Sequence, residues 1–251
     1  MQTKVKSTDE IASIRESGRM LGTVLNTLVK AAEPGMTTLE LNNIAAEELK
    51  KLGGEPSFLG YQGFPAVLCV SLNEEVVHGI PSNKRVIAVG DIVSMDFGVT
   101  YRGMVSDAAR SVIAGKAKQQ RHVELVRYTL SSLDAGIQSV HHQVRTGDIG
   151  ASIQAVLEKY HYGIVRDLVG HGVGHELHED PNIPNYGRRN TGPWLESGMT
   201  IAIEPMATLG TDRVSVGEDG WTIVTADKSW AAHFEDTVLI TQDGCEILTR
   251  A

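Results

Sequence analysis

The fourteen residues Ser94-Met-Asp-Phe-Gly-Val-Thr-Tyr-Arg-Gly-Met-Val-Ser-Asp107 constrain this chain more than any other stretch. Val93, Met95, Phe97 and Val99 alternate with smaller or polar residues, the period-two pattern of a half-buried strand, and Asp96 falls on the opposite face. A turn near Tyr101, Arg102 and Gly103 folds the segment into a hairpin. With the loop centred between Tyr101 and Arg102, residue 96 pairs directly across from residue 107, and two carboxylates stand on one face. Directly opposed Cβ atoms lie about 4.5–5.5 Å apart, so like charges there repel. The two acids must share a proton, hold a cation between them, or stand solvated on an exposed face.

The rest of the chain bounds that choice. Its 251 residues, 41% of them hydrophobic, suffice for one large domain or two small ones with a substantial core. A net charge of -8 with no run of lysine or arginine argues against nucleic acid or an anionic membrane as partner. The two cysteines, Cys69 and Cys245, sit in apolar strand-like runs, which indicates no disulfide framework and fits a reducing cytoplasm. Met1–Glu10 lacks the apolar core of a signal peptide, and no segment approaches about 18 consecutive apolar residues. A soluble cytoplasmic protein is expected.

Ser7 with Glu10 three residues on predicts a capped helix running to about Ala32, and Thr37 with Glu40 predicts a second, closed by Gly53-Gly54. The glycine- and aromatic-rich stretch from Phe58 to Pro65 reads as an ordered loop, followed by a strand over 66–72. A long amphipathic helix over 119–142 and a shorter one after Gly147 repeat this order about 112 residues on, with a strand over 164–169 behind them. Strands are expected over 199–206, 221–226 and 231–241. The α+β pattern therefore predicts a single domain over 1–251, built from two related halves at about 7–115 and 119–251, with strands meeting in the middle.

Two further acids stand where strands should be apolar. Glu204 lies in Ile201-Ala-Ile-Glu-Pro205, where Pro205 marks a strand end or edge, and Glu235 shares a face with Thr237 in His233-Phe-Glu-Asp-Thr-Val-Leu-Ile240. A buried acid must be paired, hydrogen-bonded or metal-bound. Val169-Gly-His-Gly-Val-Gly-His-Glu-Leu-His-Glu-Asp-Pro181 adds histidines. His171 and His175 are four apart, but Gly172 and Gly174 each disfavour helix by roughly 1 kcal/mol, and the run misses the H-E-x-x-H spacing. Asp96, Asp107, His171, Glu204 and Glu235 together form an oxygen-rich set suited to two divalent ions such as Mn, Fe(II) or Co, and to hydrolysis.

In combination and order these motifs, with Asn73-Glu-Glu-Val-Val-His-Gly-Ile-Pro81 and Gly198-Met-Thr-Ile-Ala-Ile-Glu-Pro205, resemble the type I methionine aminopeptidases over nearly the whole chain. The resemblance implies the pita-bread fold: two pseudo-symmetric halves, with a central antiparallel sheet flanked by helices. It implies two divalent metals (Co, Mn, Fe(II) or Zn), with Asp96 on one, His171 and Glu204 on the other, and Asp107 and Glu235 bridging. It implies removal of an N-terminal methionine preceding a small residue, by attack of a hydroxide that bridges the metals. His178 would stabilise the oxyanion, His78 would bind the scissile amide, and Glu204 would also shuttle a proton.

By the same resemblance the methionine slot comprises Phe58, Tyr61, Phe64, Cys69, Leu177 and Trp221, an apolar lining suited to a thioether. The implied partners are nascent polypeptide N-termini at the ribosome, met by a monomer. Val105-Ser precedes Asp107 where many relatives have His-Gly, and Val77 replaces a frequent cysteine. The start near the first helix, with no zinc-binding extension and no type II insertion, makes a compact bacterial-type enzyme the expectation. A proline-directed relative, which usually carries a further N-terminal domain, and a binding module without catalysis are the competing readings.

Overall fold

The computed structural model describes residues 5–250; the first four residues of the Met1–Glu10 stretch, and residue 251, lie outside it. Helix α1 (Thr8–Ala31) starts from the predicted capping box, with Ser7 and Glu10 exchanging side-chain-to-backbone hydrogen bonds. Helix α2 (Thr38–Leu52) repeats the device with Thr37 and Glu40. Helices α3 (Gln120–Gln138) and α4 (Thr146–Lys159) complete the set. α3 ends four residues before the expected His142, and Val140 and Val144 serve instead as buried residues of the connection. Among the described residues no helix is long and apolar enough to cross a membrane.

Each half has its own core. Leu21, Leu25 and Leu28 of α1 and Leu41 and Leu49 of α2 pack on Val93, Met95, Phe97 and Val99, the face of the hairpin that the alternation marks as apolar. Leu133, Ile137, Ile149 and Ile153 of α3 and α4 pack likewise on Ile201, Ile203, Val238 and Ile240. Each large aliphatic side chain buried this fully contributes about 1.5–3 kcal/mol. Among the described residues all strand pairings are antiparallel.

The hairpin joins Ile92–Tyr101 to Met104–Ile113, but its register differs from the expected one. The turn is centred one residue later, between Arg102 (φ 49) and Gly103 (φ 77), and Tyr101 pairs with Met104. Positive φ at both positions is the turn whose twist matches that of the strands. Asp96 consequently faces Ala109, and Asp107 faces Gly98. The carboxylates are still on one face, because the shift of two residues preserves side-chain alternation. They are diagonal neighbours rather than an opposed pair.

The long strands expected in the C-terminal third are interrupted at the two glutamates. Thr200–Ile203 pairs with Asp236–Ile240, and Met206–Thr208 pairs with Ala231–His233 in the continuing register. Between them, at Glu204-Pro205 and Phe234-Glu235, the ladder thins to one bond, from the Phe234 N–H to the Pro205 carbonyl at 3.3 Å. Pro205 has no N–H to give, and the Glu235 backbone turns instead to Ala109 of the hairpin, exchanging N–H···O bonds of 3.0 and 3.3 Å. That bridge joins the two halves. The expected strands over 66–72, 164–169 and 221–226 shorten to Leu68–Leu72, Gly163–Ile164 and Ile223–Thr225.

Candidate metal centre and substrate cavity

Every site residue anticipated from the sequence lines one cavity of about 140 Å³ between the two halves. The lining combines Asp96, Asp107, His171, Glu204 and Glu235, the imidazoles of His78 and His178, and the largely apolar set Phe58, Tyr61, Phe64, Cys69, Leu177 and Trp221, with Cys69 directly across from Asp96 in the sheet. Gln62 also lines it and drew no attention as a polar residue in a loop.

The acidic side is built by backbone register. Asp96, Ala109 and Glu235 form a row, because Ala109 pairs with Asp96 in the hairpin and with Glu235 across the bridge. Asp107 is fixed from the far half: Thr237 donates its hydroxyl to the Asp107 carbonyl (2.7 Å) and accepts the Asp107 N–H (2.9 Å). His171 lies on the short Gly170–Gly172 strand, opposite Ala202, two residues before Glu204. Asp107, His171 and Glu235 each offer one ligand atom, all within 4.8 Å of one another. The His171 Nε2 lies 3.6 Å from Glu204 Oε1.

These groups are arranged for a cation. Burial pushes the Asp96 carboxyl up to about 7, and burial together with acidic neighbours drives Asp107, Glu204 and Glu235 well above the usual carboxylate range. Asp96 Oδ1, Asp107 Oδ1 and Glu235 Oε1 are buried without a hydrogen-bond partner among the described residues, although buried oxygens are nearly always paired. The His171 imidazole is held neutral, at about 3, chiefly by burial. Its Nδ1 is 2.9 Å from the Gly172 carbonyl, which can only accept, so Nδ1 carries the proton and Nε2 presents its lone pair to the acids. Carboxylates with unfilled lone pairs around a correctly oriented imidazole fit a divalent ion.

His175, four residues on, turns away from the cavity to bond Glu10 at 2.7 Å. His178 turns in, its Nδ1 2.8 Å from the Tyr61 hydroxyl and its ring 4.3 Å from that of His171. Phe64 and Trp221 meet edge to face at 5.2 Å in the apolar wall. Burial lowers both His78 and His178 from the ordinary imidazole range.

Beyond the lining, His233 is buried, with Nε2 3.7 Å from Glu204 Oε2 and neither ring nitrogen hydrogen-bonded within the described residues. Its place one step past the ladder's interruption is visible only once Pro205 is known to end a strand.

A buried carboxylate–imidazole cluster for divalent metal, opening onto an apolar slot at the meeting of two α+β halves, defines a metallohydrolase. Residues 12–242 match the model of metallopeptidase family M24. The chain is 47% identical over 245 residues to the methionine aminopeptidase of Clostridium acetobutylicum, covering 98% of each chain. It superposes on the crystal structure of methionine aminopeptidase from Thermotoga maritima with a TM-score of 0.98 and 46% identity, covering 100% of both chains. Prolidase from Pyrococcus furiosus shares the fold, with a TM-score of 0.79 and 24% identity, but only 65% of that chain is covered. The chain belongs to metallopeptidase family M24 and, within it, to the type I methionine aminopeptidases of the pita-bread fold.

Proposed function

We propose that this enzyme removes the N-terminal methionine from polypeptides whose second residue is small, using two divalent ions held by Asp96, Asp107, His171, Glu204 and Glu235. The observation that carries the reading is the juxtaposition within one cavity of a buried acidic cluster, three of whose oxygens lack a hydrogen-bond partner among the described residues, and an aromatic lining. The ions, when bound, supply a water acidified to neutral pH and polarisation of a carbonyl.

The protein's own groups do the rest. Phe58, Phe64 and Trp221 give a thioether an apolar, polarisable lining, and Cys69, its thiol pushed well up by burial and the nearby acids, joins them as a neutral group. The Tyr61 hydroxyl donating to His178 Nδ1 would leave Nε2–H as donor, aimed at the oxygen that becomes negative as the scissile carbonyl is attacked. His78, kept neutral by burial, would hydrogen-bond the scissile amide. Glu204, whose proton affinity is raised, would pass a proton to the leaving amine.

The test compares Mn(II)-loaded enzyme on Met-Ala-Ser, Met-Phe-Ser, Leu-Ala-Ser and Ala-Pro-Ser. Turnover of the first, with the other three at least about tenfold slower in kcat/KM, supports the reading. Preferential cleavage of Ala-Pro-Ser overturns it.

A further inference from the structure

The cavity's loop from Val173 to His178 joins two short strands, Gly170–Gly172 and Glu179–Ile183, and carries Leu177 and His178 inward. Its foot is held by an unusual contact. Lys6, far away in sequence, places its ammonium 2.7 Å from Glu179 Oε2, and the two side chains are 0% and 4% exposed. The other oxygen, Glu179 Oε1, accepts the backbone N–H groups of His175 (2.6 Å) and Glu176 (3.1 Å). Lys6 is anchored in turn by its own N–H, which donates to the Gly198 carbonyl at 2.8 Å. Gly174 packs directly on the lysine stem: a Cβ there would lie 2.4 Å from Lys6 Cε, and its φ of 147° is one that side chains rarely adopt.

We propose that the buried Lys6–Glu179 pair is a positioning element of the active site, fixing the loop that presents His178 and Leu177 to substrate. His178 and Glu179 are neighbours whose side chains point apart, one lining the cavity and the other buried beneath the loop. A shift of the carboxylate therefore moves the imidazole. Desolvating two charges is expensive and seldom worthwhile for stability alone, whereas a carboxylate that serves two loop amides while a fixed cation holds its second oxygen fixes a geometry. The exposed Glu10–His175 contact adds a second, weaker strap from the first turn of α1. The N-terminal arm thus becomes part of the catalytic apparatus although neither Lys6 nor Glu179 lines the cavity.

The inference rests on the role given above to His178, and its test separates the two. In Mn(II)-loaded enzyme, Lys6→Met/Glu179→Leu replaces both charges by apolar groups, so the fold is retained while the loop amides lose their acceptor. Lys6→Met/Glu179→Gln keeps a carbonyl for them. The first variant is expected to lower kcat for Met-Ala-Ser by about 10- to 100-fold with unchanged Mn(II) affinity, and to speed amide hydrogen exchange across 173–178 only. The glutamine variant is expected to recover most of both losses. Wild-type kcat and wild-type loop exchange in the leucine variant would overturn the proposal, as would a lowered unfolding midpoint accompanied by wild-type kcat. If the parent enzyme releases no methionine, the proposed function fails, and the exchange measurement alone decides whether the pair orders the loop.

Discussion

Asp107 stands opposite Gly98 in the central hairpin, two residues out of step with Asp96. The offset has a use. A side chain at 98 would point into the cavity from beside the acids, where a Cβ would come within 2.6 Å of the Phe58 ring. Gly98→Val should therefore displace Phe58, leave Mn(II) affinity at the wild-type value and raise KM for Met-Ala-Ser about tenfold or more. Steady-state kinetics beside a metal titration checks it; a variant that loses metal and keeps its KM would contradict the placement.

Thr237 makes two hydrogen bonds to the backbone of Asp107 from the opposite half of the molecule. Thr237→Val keeps the shape and strands a buried N–H and C=O, which costs about 1–3 kcal/mol. Denaturant unfolding should read that loss. The same variant should bind Mn(II) more weakly, because Asp107 is no longer fixed against Glu235. Unchanged stability and affinity would mean that the hairpin alone fixes Asp107.

How much of this was legible in the sequence follows from what each feature depends on. Capping boxes, apolar alternation and acids on strands are local, and they mark α1, α2, the hairpin faces and the four acids of the cavity, whereas His171 stands out only by the glycines around it. The hairpin register depends on which two residues take positive φ, and Arg102 is not a residue that advertises this, so the turn was centred one position early. The interruption at Glu204-Pro205 and Phe234-Glu235 arises because Glu235 pairs with Ala109 instead, a contact between halves that periodicity within either half cannot reveal. The roles of Thr237 and Lys6 are of the same kind. Each residue is unremarkable in its own segment and acquires a partner only when a distant one arrives.

Metal affinity should rise with pH through neutrality. Burial pushes the Asp96 carboxyl up to about 7 and holds its neighbours Asp107, Glu204 and Glu235 well above the usual carboxylate range, so the cluster gives up protons as the pH rises through neutrality. Binding requires the ionised form, and His171, neutral above about 3, does not oppose the change. Titration calorimetry should show Mn(II) binding tighter at pH 8 than at pH 6, with protons released on binding. Affinity that falls with rising pH would contradict the assignment of Asp96 as a ligand.

The apolar slot should be separable from the metal centre. Trp221→Ala removes the edge-to-face partner of Phe64, and it should raise KM for Met-Ala-Ser by roughly 10- to 100-fold while metal uptake is retained. Kinetics on Met-Ala-Ser and Leu-Ala-Ser together would show reduced discrimination between the two.

The most direct measurement follows methionine release from Met-Ala-Ser as Mn(II) is titrated into metal-stripped enzyme, for the wild type and for Asp107→Ala, with bound metal determined in parallel. The wild type should be inactive when stripped, take up about two equivalents of Mn(II) and gain turnover as it does so, whereas Asp107→Ala should neither hold the metal nor release methionine. Full methionine release by the stripped wild type in the presence of a chelator, or by Asp107→Ala, would contradict the account.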